Sequence, residues 1–136
     1  MTPDISRHIA VLTVWMEARG EGEAGMQAVA HAIVNRHRAD RWYSGSTLAE
    51  CCLIPLAFSC WNAHDRNRLA MSRLSGSESI LQDIDGYLAD ALNGDADDPT
   101  NGATHYIDSS IPLPLWAQQA TKTARIGRLT FFTNVN

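Results

Sequence analysis

Two runs of helical apolar period, separated by an acidic segment punctuated with glycines, constrain this chain more than any other feature. Ile5, Ile9, Leu12 and Met16 recur at helical spacing, which places them on one face of a helix over about Ser6 to Glu17. Gly20, Gly22 and Gly25 follow, and glycines so placed end helices and admit tight or left-handed backbone. A second helix is predicted from about Gly25 to Arg38, where Met26, Val29 and Ile33, with Ala28, Ala30 and Ala32, make an apolar and closely packable side. The second helix is expected to be central, and Glu17 to sit at the end of the first.

Beyond Arg38 the pattern loosens. Ala39 to Arg73 has no clear period and carries Gly45, Pro55 and an aromatic cluster, so it reads as loops with short helices. A third helix is predicted over about Ser77 to Asn93 from Ile80, Ile84, Leu88 and the pair Ala91 and Leu92, with Gly94 as its stop. Asp97 to Gly102 is rich in turn residues, and the short runs Ala103–Ile107 and Leu129–Phe132 look extended. The expected class is mostly α, an α+β fold with a small β element. No internal repeat or low-complexity tract is present.

At 136 residues, 45% of them hydrophobic and 19% charged, residues 1–136 are expected to form a single folded domain. A net charge of −4 with 11 scattered Lys and Arg lacks the clustered basic face of a nucleic-acid-binding protein. The apolar stretch Ile9–Met16 is interrupted by Thr13 and is far shorter than the roughly 20 residues of a membrane span. The start, Met1 to Arg7, has no basic region followed by an apolar one and no small-residue cleavage site. Synthesis in the cytoplasm is therefore expected, with delivery by another agent if the target lies outside.

Cys51, Cys52 and Cys60 are odd in number and two are adjacent, which suits reduced thiols better than a disulfide framework. Cys51, Cys52, Cys60 and His64 lack the closely spaced cysteine pair of a structural zinc site, so no metal or other cofactor is expected. Nothing in the pattern calls for more than a monomer.

Glu17, Glu21 and Glu23, with Arg19 among them, form an acidic cluster near a helix end. Taken without context, such a cluster is a solvated cap, because most surface carboxylates do nothing chemical. The chemical alternative is a general acid. Cleaving a glycosidic bond needs a carboxyl kept protonated near neutral pH, and burial against apolar groups raises its pKa to that range. Glu17 follows Val14, Trp15 and Met16 and has the more apolar neighbours of the three.

The longer string from Glu17-Ala18-Arg19-Gly20-Glu21 through Ala30-His31-Ala32-Ile33-Val34-Asn35-Arg36 resembles the opening of the SleB-type cell-wall hydrolase family. That family comprises the catalytic domain of spore-cortex-lytic enzymes and of many phage lysis proteins. Phe58-Ser59-Cys60-Trp61, Gly102-Ala103-Thr104-His105-Tyr106, Pro114-Leu115-Trp116-Ala117, Ile126-Gly127 and Phe131-Phe132 agree with it in order, from about residue 7 to the end. Ala57 stands where the family often has Gln, and Leu129 where it usually has His.

The resemblance implies a lysozyme-like, lytic-transglycosylase-like helical fold. It also implies cleavage of the β-1,4 bond between N-acetylmuramic acid and N-acetylglucosamine in peptidoglycan. Glu17 maps to the proposed catalytic acid. In a lytic transglycosylase one carboxyl serves as acid and then base while the muramic 6-hydroxyl closes a 1,6-anhydro ring; a muramidase would use water instead. A chain of this architecture suggests a phage-type endolysin that acts on the wall after release. The alternatives are a metal-dependent amidase cutting the peptide stem and a non-catalytic wall-binding module.

Substrate contacts follow from residue chemistry. Aromatic faces pack on the apolar faces of pyranose rings, so Phe58, Trp61 and Trp116 are candidates for a stacking wall. Core packing suits Phe58 better; Trp61, in an irregular stretch between a cysteine and an asparagine, is the better cleft residue, and Ser59 is taken with it. On the extended segment after Gly102, alternation sends His105 and Tyr106 to opposite sides. Tyr106 is favoured as a donor that contacts substrate or orients the glutamate. Glu21 is expected to assist near the site, Glu23 to cap the next helix and Arg19 to order the turn. His31 and Asn35, one helical turn apart, are read as a buried pair satisfied locally.

Overall fold

A computed structural model describes residues 3–54, 57–62, 65–76 and 78–136. Helix α1, Pro3–Ala18, opens on a proline, whose missing N–H belongs to the group a first turn leaves unpaired anyway. A 3₁₀ turn, Arg19–Glu21, leads into α2, Gly22–Arg38, which begins three residues earlier than the apolar period indicated. Gly25 is needed inside α2 for a steric reason: a Cβ there would collide with the Cβ of Glu21.

The face of α1 differs from the expected one. Ala10, Thr13 and Val14 are fully buried, Ile9 and Leu12 are only half-buried, and Ile5 is 53% exposed. α1 is packed by α2, by α3 (Leu48–Leu53) and by α5 (Ser79–Asn93). Neighbours on several sides widen the buried face beyond the periodic line: Met16 is core as expected, Val11 and Trp15 join it, and Ile5 falls outside.

The irregular middle contains α3, a 3₁₀ turn at Ser59–Trp61 and α4, Arg66–Met71. Side chains cap both short helices: Thr47 accepts from the Glu50 amide at 3.1 Å, and Asp65 from the Asn67 amide at 2.8 Å. Pro55 and His64 lie outside the described residues, as does Ser77, the expected start of the third helix. α5 ends as predicted at Gly94, in the left-handed conformation with φ 72°.

Three antiparallel strands follow: β1 (His105–Asp108), β2 (Thr121–Ile126) and β3 (Leu129–Thr133), with a short α6 (Leu115–Gln118) between the first two. The order β1-β3-β2 puts the apolar Leu-Thr-Phe-Phe run in the centre. β2 carries no apolar alternation and escaped the sequence reading; it is an edge strand with Lys122 and Arg125 exposed and a bulge between Lys122 and Ala124. Phe131 and Phe132, successive on β3, serve two cores. Phe131 joins the main helical core, and Phe132 joins Tyr43, Ala117 and Val135 in a smaller one.

His31 and Asn35 do not form a local pair. His31 Nδ1 lies 3.0 Å from its own helix at the Gln27 carbonyl, whereas Asn35 Nδ2 donates to Asp98 Oδ2 at 2.8 Å and to the Ala103 carbonyl at 2.9 Å. Asn35 thereby ties α2 to the loop that leads into β1. Asn35→Ala is expected to lower the unfolding free energy by about 1–3 kcal/mol, as measured by urea denaturation, because it removes a donor shared by the Ala103 carbonyl and the Asp98 carboxylate.

Candidate active site

The last turn of α1 places Glu17, half-buried, at the junction of two cavities. The larger, of about 380 Å³, is aromatic and includes Phe58, His105, Tyr106, Trp116 and Trp42 in its lining. The smaller, of about 270 Å³, is polar and includes Arg19, Glu21, Asn67 and Arg128.

β1 supplies the group that holds the carboxyl. Strand alternation turns Tyr106 toward Glu17, and its Oη donates to Glu17 Oε1 at 2.8 Å. Phe131, its cross-strand neighbour, supports the ring at 5.6 Å between centroids. The 3₁₀ turn Ser59–Trp61 adds the Cys60 thiol, a second hydrogen-bond donor to the same carboxyl, with Phe58 just before it.

Burial is the largest influence on the Glu17 carboxyl and raises its pKa above the ordinary 4.5. The hydrogen bonds from Tyr106 and Cys60 oppose that rise, and the charge of Asp65 adds to it. Burial and the neighbouring glutamate push the Tyr106 phenol well above 10, so it remains a donor. His105 goes the other way: burial, with help from Arg36, takes it down to about 3. A neutral imidazole at pH 7 follows, 2.8 Å from the Thr104 hydroxyl at Nδ1 and packed between Tyr43 and Trp116.

Glu17, His105, Tyr106 and Trp116, drawn from two distant parts of the sequence, thus meet at one cavity. Glu21 lies in the adjoining polar cavity, where Arg128 donates to it at 3.1 Å. Ser59 and Trp61 line neither cavity. Ser59 is exposed, and the Trp61 indole N–H is committed to Thr13 Oγ1 at 2.8 Å, which draws the ring against α1. Phe58 packs in the main core as expected, 4% exposed, and its ring also forms cavity wall, which Trp61 does not.

Arg19 does order the turn, donating to the Met16 carbonyl at 3.3 Å and lying 4.1 Å above the Trp15 ring. Trp15 thus serves Arg19, and the aromatic residues at the cavity that holds Glu17 are others. Of the two positions that depart from the family pattern, Ala57 lines the cavity and Leu129 is core.

Two lining residues went unnoticed in the sequence. Trp42 is 76% exposed at the cavity, and an aromatic pair in an irregular polar stretch was its only signal. Arg36 had a clearer one: it continues the Val29 and Ile33 spacing, which puts a charged residue on the buried face of α2. Cys51, Cys52 and Cys60 are buried free thiols, with Cys51 pushed up by burial to about 11 and Cys52 to about 12. Among the described residues no group of three or more His, Cys, Asp or Glu comes together as a metal site.

The fold is that of the SleB catalytic domain. The catalytic domain of the Bacillus cereus SleB protein matches with a TM-score of 0.72 at 24% identity, covering 96% of this chain and 91% of that one. The catalytic domain of the germination-specific lytic transglycosylase SleB from Bacillus anthracis matches with a TM-score of 0.70, also at 24% identity, over 94% and 93%. No curated protein matches the chain. Residues 20–132 match the Cell Wall Hydrolase family model, and the chain belongs to that family of peptidoglycan-degrading enzymes. Glu17 lies just before the matched span, so its importance rests on the geometry of the site. Among the described residues no helix is long and apolar enough to cross a membrane.

The raised Glu17 pKa has a consequence for stability. A carboxyl whose folded pKa exceeds its unfolded one favours the fold fully below the unfolded value, and that contribution is lost as pH rises through the folded value. Glu17→Gln removes the charged form. It is expected to raise Tm relative to wild type at pH 8, by about 4 °C for each 1 kcal/mol, and to leave Tm nearly unchanged at pH 3.5, as followed by circular dichroism.

Proposed function

We propose that this chain, acting as one catalytic domain, cuts peptidoglycan glycan strands at the β-1,4 bond between N-acetylmuramic acid and N-acetylglucosamine, with Glu17 as the only acid/base. The observation that carries the reading is the Glu17 carboxyl itself: half-buried, held by Tyr106 and positioned between an aromatic and a polar cavity. A glycan strand laid across both has sugars on each side of the carboxyl.

Protonated Glu17 donates to the glycosidic oxygen as the bond to the muramic C1 breaks, so the leaving group departs as an alcohol. The resulting carboxylate is stabilised by the hydrogen bonds from Tyr106 and Cys60. It then takes the proton from the muramic 6-hydroxyl, whose oxygen closes on C1 to give the 1,6-anhydro product. No other Asp or Glu is among the described residues lining the aromatic cavity, and Glu21 is engaged by Arg128. One-carboxyl chemistry suits that arrangement better than the two-carboxyl chemistry of most glycoside hydrolases. The lytic transglycosylase description of the Bacillus anthracis relative points the same way.

Trp116 and Trp42, exposed at the cavity, provide stacking faces, and Phe58 forms part of the same wall. His105 is a neutral hydrogen-bonding contact, and Glu21 acts from the polar side. The enzyme works as a monomer on the wall, without a cofactor.

Glu17→Gln is expected to reduce turbidity loss of purified peptidoglycan about 10²- to 10⁴-fold. Equal clearing by variant and wild type would contradict the reading. Mass spectrometry of the muropeptides released by wild type should show 1,6-anhydro ends; reducing ends throughout would replace ring closure by attack of water.

A further inference from the structure

Arg36 is a buried cation for which the described residues provide no ion-pair partner. It is 7% exposed, and its Nε is fully buried without a hydrogen-bond partner. Among the described residues its guanidinium makes no ion pair and donates to no carbonyl. Tyr43 and Phe58 flank it, each ring centroid 5.2 Å from Cζ. The groups whose fields reach it are the Cys51 and Cys52 thiols and the Tyr43 and Tyr106 phenols, and the two thiols remain neutral at pH 7.

An arginine kept this way is unfavourable for the free protein, because a buried charge without a partner retains its desolvation cost. The aromatic rings offset part of it. What remains is a planar fork of donors at the wall of the cavity that contains Glu17. Such a fork binds a carboxylate with two parallel hydrogen bonds, and the low-polarity surroundings strengthen them. His105, neutral in the same cavity, does not compete for an anion.

We propose that Arg36 receives a carboxylate of the substrate carried on the lactyl arm of muramic acid, either the arm's own or one on the peptide attached to it. The proposal rests on the peptidoglycan reading above and adds to it a determinant that distinguishes muramic acid from N-acetylglucosamine. The carboxylate restores the missing counter-charge, so binding energy is gained at the sugar that carries the lactyl arm. A chitin chain, which has no such arm, leaves Arg36 unpaired.

The test uses isothermal titration calorimetry with two probe pairs: the disaccharide N-acetylglucosaminyl-N-acetylmuramic acid and its methyl ester, and the same disaccharide bearing L-Ala-D-Glu and its methyl ester. The disaccharide lacks the bond that is cut, so wild type serves directly. The free acid of one pair should bind about tenfold or more tightly than its ester, the difference between a charge-assisted and a neutral contact. A preference in the first pair assigns the lactyl carboxylate, and a preference in the second pair alone assigns the peptide's.

Arg36→Met should abolish the preference, and Arg36→Lys, which keeps the charge and loses the fork, should fall between. No preference in either pair overturns the proposal, as does failure of wild type to bind any probe. A preference that survives in a folded Arg36→Met protein also overturns it. Turbidity loss measured in parallel separates the two readings: an active enzyme without the preference refutes only the role of Arg36, and an inactive one with it refutes only cleavage.

Discussion

The hydrogen bond from Tyr106 to Glu17 is the contact on which the rest of the site depends. It joins the end of α1 to β1 across 89 positions of sequence, and it does so with a carboxyl that burial has already made reluctant to ionise. Burial and hydrogen bonding act in opposite directions on that group, and burial is the larger. The balance suits an acid that must release a proton and then hold a negative charge briefly. A fully solvated glutamate would be ionised at neutral pH, and one buried without donors would resist the second step.

Much of the surrounding fold exists to hold that contact. Asn35 pins the loop before β1 to α2, so the strand that carries Tyr106 enters at a defined place. The central β3 supports Tyr106 with Phe131 on one side of the sheet and closes the smaller core with Phe132 on the other. Gly25 lets α2 start close against the turn that follows Glu17. These residues touch no substrate, yet each limits where the carboxyl can sit.

The parts of this arrangement legible in the sequence are those with a local signal. α2, α5 and the stop at Gly94 follow from apolar period and turn chemistry, and Glu17 was placed at a helix end by the glycines after it. What was missed depends on long-range packing. Ile5 has the right spacing and remains exposed, because the buried face of α1 is set by the helices packed around it and centres on Ala10, Thr13 and Val14. β2 shows no alternation because it is an edge strand supported from one side. Trp61 turns against α1 rather than into the cavity, a direction that an irregular segment, which carries no period, does not reveal. Arg36 also went unread, although its spacing after Val29 and Ile33 marks a charge on an apolar face.

The central claim is that the fold holds the Glu17 carboxyl protonated beyond the range of an ordinary glutamate. A carbon-13 NMR titration of side-chain carboxyl-labelled protein measures this directly, with the Glu17 resonance assigned by its loss in Glu17→Gln. The account predicts a titration midpoint above 4.5, with the surface glutamates Glu50 and Glu78 below it. A Glu17 midpoint at or below 4.5 would contradict it.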